Sequence, residues 1–135
     1  MKSSKTGIAI ICYVLLALGL LLNPASSYSF ETTIRVAPNV LNIQSEGTVV
    51  TIHTDINYSA VEASTVSLNG IEISSWKADN RGDFVAKFLM EEVKALEGLD
   101  IGEYNTLTIE GYTYEGEFFV GVQDIIVIDV AARGR

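Results

Sequence analysis

Thr65-Val66-Ser67-Leu68-Asn69-Gly70-Ile71-Glu72-Ile73 decides the fold class. Two short runs of alternating apolar and polar residues flank an Asn-Gly pair. Both positions of that pair tolerate the positive φ that a tight two-residue hairpin requires. The segment therefore reads as two paired strands. Alternation continues on both sides of it. Upstream, Ser45-Glu46-Gly47 is a turn and Val49 to Ile56 is a long strand, with Val50, Ile52 and Ile56 on one face. Before that, Thr32 to Val36 is a strand stopped at Ala37-Pro38-Asn39, and Val40-Leu41-Asn42-Ile43 is a short edge segment.

Downstream, Ser75-Trp76-Lys77-Ala78 gives way to the polar loop Asp79-Asn80-Arg81-Gly82-Asp83, and Phe84 to Phe88 resumes as a strand. One short helix is predicted, because Met90, Val93 and Leu96 recur on one side. Glu91 and Glu92 suit its positive end and Gly98 is placed to end it. Tyr104 to Gly111 and Glu117 to Gly121 form a hairpin through Tyr114-Glu115-Gly116, and Gln123 to Val130 closes the domain. About seven strands with regularly spaced turns predict an all-β fold, a two-sheet antiparallel β-sandwich with one short helix. Trp76 is expected in its core.

The N-terminus has a different grammar. Lys2 and Lys5 precede an apolar run from Gly7 to Leu22, followed by Asn23-Pro24 and the small residues Ala25, Ser26 and Ser27. This order predicts a hydrophobic secretory signal helix over residues 1–27, cut before Tyr28. A retained anchor is the alternative, since a membrane span needs only about 17–25 residues. The sandwich then covers 28–130, with 131–135 as a tail, and the protein is expected outside the cell or on its surface. The single cysteine, Cys12, lies in the apolar run, so the exported part holds no disulfide.

All seventeen acidic residues and seven of the nine basic ones lie after residue 27, leaving a net charge of −10 there. That sign disfavours nucleic acid and anionic membrane surface. Catalytic material is sparse. His53 is the only histidine and alternates with Ile52, which points it away from the core beside Thr51 and Asp55. A pairing with Ser67 has no nucleophile elbow to support it, and no Gly-rich phosphate loop opens a helix. Glu91-Glu92, Glu115 and Glu117 fall at a helix start and a hairpin tip, where solvated charge is expected. No enzyme activity is predicted.

Two sites merit naming. Asp79, Asn80 and Asp83 supply three hard oxygen ligands for calcium, which needs six to eight. Arg81 opposes such a site, and a solvated β-turn with Gly82 at positive φ is the plainer reading. The same loop spells Arg81-Gly82-Asp83, an integrin-type tripeptide, to which the same turn reading applies. Tyr112, Tyr114, Tyr104 and Trp76 are candidates for a carbohydrate-binding face, with Tyr112 and Tyr114 two apart on one strand and Trp76 read first as core. Cross-strand packing is the competing reading. The expected partner is an extracellular protein, met at the Val40 to Ile43 edge or the acidic outer face, or a polysaccharide.

Several segments together resemble a small immunoglobulin-like module that recurs in secreted bacterial and archaeal proteins. They are Leu41-Asn42-Ile43-Gln44-Ser45-Glu46-Gly47, the strand Val49 to Ile56, Ala63 to Gly70, Asp83-Phe84-Val85-Ala86-Lys87-Phe88 and Leu107-Thr108-Ile109-Glu110-Gly111. The resemblance spans about Arg35 to Asp129. It implies an accessory extracellular sandwich without catalysis of its own. It also implies a calcium loop before the Asp83-Phe84 segment, which in this chain is shortened to Asp79–Asp83.

Overall fold

The computed structural model describes residues 28–131. The signal or anchor segment over 1–27 and residues 132–135 of the tail lie outside the described residues. No helix among the described residues is long and apolar enough to cross a membrane.

Alternation of buried and exposed side chains along most of the strands builds two sheets. The smaller sheet contains β2 (Arg35–Ala37), β4 (Val49–Asn57), β7 (Ser75–Ala78) and β8 (Asp83–Leu89), in the order β2-β4-β8-β7. The larger contains β1 (Ser29–Glu31), β3 (Val40–Asn42), β5 (Val61–Leu68), β6 (Ile71–Glu72), β9 (Tyr104–Thr113) and β10 (Phe118–Ile128). Its order is β1-β10-β9-β5-β6, and β3 also pairs with β10. Between the sheets, Val50, Ile52, Phe84 and Phe88 meet Val66, Leu68, Leu107, Ile109 and Phe119, all essentially without exposed surface. Burying one such side chain stabilises the fold by about 1.5–3 kcal/mol.

The expected Asn69-Gly70 hairpin is present, with φ of 47° and 85° at its two central residues. Asn69 does more than turn the chain. Its Nδ2 donates to the Thr106 carbonyl (3.1 Å) and its Oδ1 accepts from the Thr108 amide (2.6 Å), so the turn is tied to β9. The expected helix is α1 (Met90–Lys94), with Met90 and Val93 buried and Gly98 following at φ 82°.

Three expectations are corrected. The strand expected over Thr32 to Val36 is broken. β1 pairs with β10 in the larger sheet, and Thr32 to Ile34 carry the chain across to the smaller one, where β2 pairs with β4. β3 then returns to β10. A switch between sheets leaves no mark in the alternation, because Thr32, Ile34 and Val36 stay inward throughout.

The strand ends expected at Gly111 and Gly121 are interior positions of β9 and β10. A methyl group on Gly121 would lie 2.6 Å from Ile34 Cγ2, and one on Gly111 2.8 Å from the Phe119 ring. Glycine here admits a close neighbour rather than ending pairing.

Trp76, expected in the core, is 45% exposed. It stands in register with Ala86, on the core-facing side of its strand. However, β7 is the outermost strand and its counterpart at the edge of the other sheet, β6, has two residues, so little backbone lies opposite to cover the ring.

Candidate functional site

Because side chains alternate across a strand, each sheet also has an outer face, and pairing registers fix which residues share it. On the larger sheet, Glu31, Val120, Glu110, Ser67 and Glu72 form one row across five strands. Neighbouring strands lie about 4.8 Å apart, so successive glutamates of the row stand roughly 10 Å apart. Apolar residues flank the row. On one side is Tyr112 with Phe118, their rings 5.3 Å apart. On the other lie Val122, 62% exposed, and then the row Tyr104-Ile126-Val40, whose Tyr104 is 69% exposed. Glu62 and Asp124 complete the charge, and no basic residue among those described lies on this face.

The smaller sheet is different. Its outer face carries the row Arg35-His53-Val85-Lys77 and, beside it, Ala37-Thr51-Lys87-Ser75. Val85 points outward yet has no exposed surface. His53 points away from the core as expected, but its Nδ1 is buried without a hydrogen-bond partner. Ser67 belongs to the outer face of the other sheet, so the hydrophobic core separates it from His53 and the two are not brought together.

The Asp79 loop joins β7 to β8 at the edge of that face. Asp79 Oδ1 accepts the amides of Arg81 (2.8 Å) and Asp83 (2.9 Å), Gly82 N–H donates to the Asp79 carbonyl (3.0 Å), and Gly82 has φ 85°. Donation from the Asp83 amide is the main cause holding the Asp79 carboxyl below its ordinary value. Desolvation opposes it, while the Arg81 amide and the charges of Arg81 and His53 add to it. Asn80 is exposed, and Arg81 shares a cleft of about 150 Å³ with Arg35, His53, Asp55, Asp79 and Asp83. The loop thus has the self-bonded turn geometry, with Gly82 at positive φ, that the sequence sets beside a calcium loop for Asp79, Asn80 and Asp83. No group of three or more metal-ligating side chains occurs among the described residues. Asp83 opens β8 opposite Asn57, so within the Arg81-Gly82-Asp83 tripeptide the exposed Arg81 lies with Gly82 in the turn and Asp83 in the strand.

The three candidate tyrosines do not form one platform. Tyr104 and Tyr112 lie on the same outer face but eight residues apart on β9, about 27 Å. Tyr114 lies beyond the strand end and lines the mouth between the sheets with Tyr58 and Trp76, a cleft of about 320 Å³ floored by Phe84, Val61 and Ala63. Tyr58 comes from a single 3-10 turn, Tyr58–Ala60, and its ring stacks on Phe84 with centroids 6.3 Å apart. Sequence reading missed Tyr58 and placed Trp76 in the core. The Asn57-Tyr58-Ser59 step, where Asn57 Oδ1 accepts the Ser59 amide (3.0 Å), was the only local signal for that turn.

No family model, curated protein or solved structure matches this chain.

Proposed function

We propose that residues 28–130 are an immunoglobulin-like, non-catalytic module that a prokaryotic cell exports, and that it docks onto an extracellular protein through the outer face of its larger sheet. Strand order supports the immunoglobulin-like reading. β2-β4-β8-β7 packs against β10-β9-β5-β6, and the first strand region is shared between the sheets through β2 and β3, the arrangement of the A-B-E-D and G-F-C layers of such sandwiches.

The observation that carries the docking reading is the composition of that face. Tyr104, Tyr112, Val122 and Val40 are exposed on one continuous sheet surface, and every charge among them is acidic. Aromatic and aliphatic area supplies affinity at the centre of an interface, while charge sets partner choice and encounter rate. A partner with Lys or Arg spaced to meet Glu31, Glu110 and Glu72 is complementary. A second copy of this chain meeting it through the same face is not, because the same acids would face each other.

The test is crosslinking of the exported protein to the surface proteins of its own cells, wild type against Val122→Asp. Sedimentation is run in parallel. A crosslinked basic partner that is lost with Val122→Asp and weakened by salt supports the reading. A wild-type homodimer, or crosslinking unaffected by Val122→Asp, sinks it.

A further inference from the structure

The mouth between the sheets carries an inference independent of the docking face. We infer that the cleft formed by Tyr58, Trp76 and Tyr114 is a binding site for a neutral sugar unit of a polysaccharide chain.

Its lining, which includes Tyr58, Ser59, Ser64, Trp76, Phe84 and Tyr114, holds no charged side chain, although the residues after 27 carry a net charge of −10. Three part-exposed aromatic rings stand beside two serine hydroxyls, and Tyr58 and Tyr114 add phenol groups of their own. A pyranose ring needs this combination. Its C–H faces carry partial positive charge and are drawn to the negative faces of aromatic rings, and its hydroxyls need donors and acceptors at the rim. An ionic ligand finds no counter-charge here, and a purely apolar one would desolvate the hydroxyls without replacing their hydrogen bonds.

The backbone that carries the walls is held by hydrogen bonds, so binding need not order it. Tyr58 N–H donates to the Gly82 carbonyl (2.8 Å), and Tyr114 N–H donates to the Ala60 carbonyl (2.9 Å). Trp76 sits in the β7–β8 ladder. Ser59 Oγ donates to Asn57 Oδ1 (2.8 Å), which leaves its lone pairs as acceptors. Such preorganisation lowers the entropic cost of association. At about 320 Å³ the cleft is at the small end of ligand sites, which suits a sugar unit and falls short of a peptide of several residues. This assigns Tyr58 a role that the sequence did not suggest, and separates Tyr114 and Trp76 from Tyr104 and Tyr112.

Trp76 is the only tryptophan in the chain and lines the cleft, so it reports directly. The probes are cellohexaose, mannohexaose and laminarihexaose, with hexagalacturonate and a proline decapeptide as the competing chemistries. At least one neutral hexasaccharide should shift Trp76 emission saturably. Tyr114→Ala should raise its Kd about tenfold, the scale of one lost aromatic contact. Tyr104→Ala should leave Kd unchanged. Tyr114 is 70% exposed, so its removal spares the fold, and an unaltered melting temperature checks this. Three results each overturn the site: no saturable shift with any neutral hexasaccharide, saturation only by hexagalacturonate or the peptide, or a Kd unchanged by Tyr114→Ala.

Discussion

Val85 and Val122 are both valines on interior strands, both pointing away from the core, yet Val85 has no exposed surface and Val122 is 62% exposed. The difference lies in their neighbours. Val85 stands between His53 and Lys77, with Arg35 beyond, on a face that carries Arg35, Lys77 and Lys87. Long cationic side chains cover apolar surface with their stems while their heads stay in water. Val122 is paired with Thr108, and the nearest charged residues on its face are short acids. A strand pattern alone assigns both valines to solvent. The chemistry of the row decides which one solvent reaches, and so which face is left open to a partner.

Placing the same charge at both positions tests that contrast most severely. Val85→Asp should cost about 2–3 kcal/mol, since it loses the buried valine packing and desolvates a carboxylate whose cost the neighbouring Lys77 and Arg35 offset only in part, whereas Val122→Asp should stay within about 0.5 kcal/mol. Urea denaturation of the two variants decides it, and equal losses would show that the faces are equivalent. Next in size is Asn69→Ala on the larger sheet. It removes the bonds to Thr106 and Thr108 and leaves an alanine at positive φ, for a loss of roughly 2 kcal/mol in the same assay.

A smaller effect is expected at His53 on the covered face. Removing a buried, unpartnered nitrogen while keeping apolar bulk is neutral to favourable. His53→Leu should therefore change stability by less than about 1 kcal/mol, in the stabilising direction. A marked loss would show that His53 has a partner on that face.

The smallest effect belongs to the Asp79 turn and vanishes in acid. The folded protein holds this carboxyl below its ordinary value of 3.8. Its contribution is therefore present above the unfolded value and is lost as pH falls through the lower, folded one. Asp79→Asn keeps an acceptor for the loop amides but loses the charge. Wild type should melt above this variant near neutrality, and the two melting curves should converge in acid below 3.8. A gap that persists unchanged in acid would mean the ionised carboxylate is not what the loop binds.

Legibility followed the range of the interaction. The Asn69-Gly70 hairpin, α1 with Met90 and Val93 buried, the outward His53 and the self-bonded Asp79 turn each depend on residues a few positions apart, so a local pattern suffices. Misreadings arose where a distant chain set the outcome. Gly121 looked like a strand end because only Ile34, far away in sequence, explains its missing side chain. Trp76 looked like core because its side of the strand was right and the shortness of β6 opposite it was not visible. The candidate tyrosines were grouped by spacing along β9, while Tyr58, which shares a cleft with Tyr114, comes from a turn at the end of another strand.

Period-two alternation, turn chemistry and the excess of carboxylates are carried by the sequence alone, and they determine a two-layer β domain with an acidic exterior. Which charges share a surface is another matter. All five described basic residues fall on the smaller sheet and the loop and helix attached to its strands, while Glu31, Glu62, Glu72, Glu110 and Asp124 fall on the larger one. Strand order and register made that division. Hydrogen bonds between strands join residues from opposite ends of the chain, and no local pattern records which strand becomes whose neighbour.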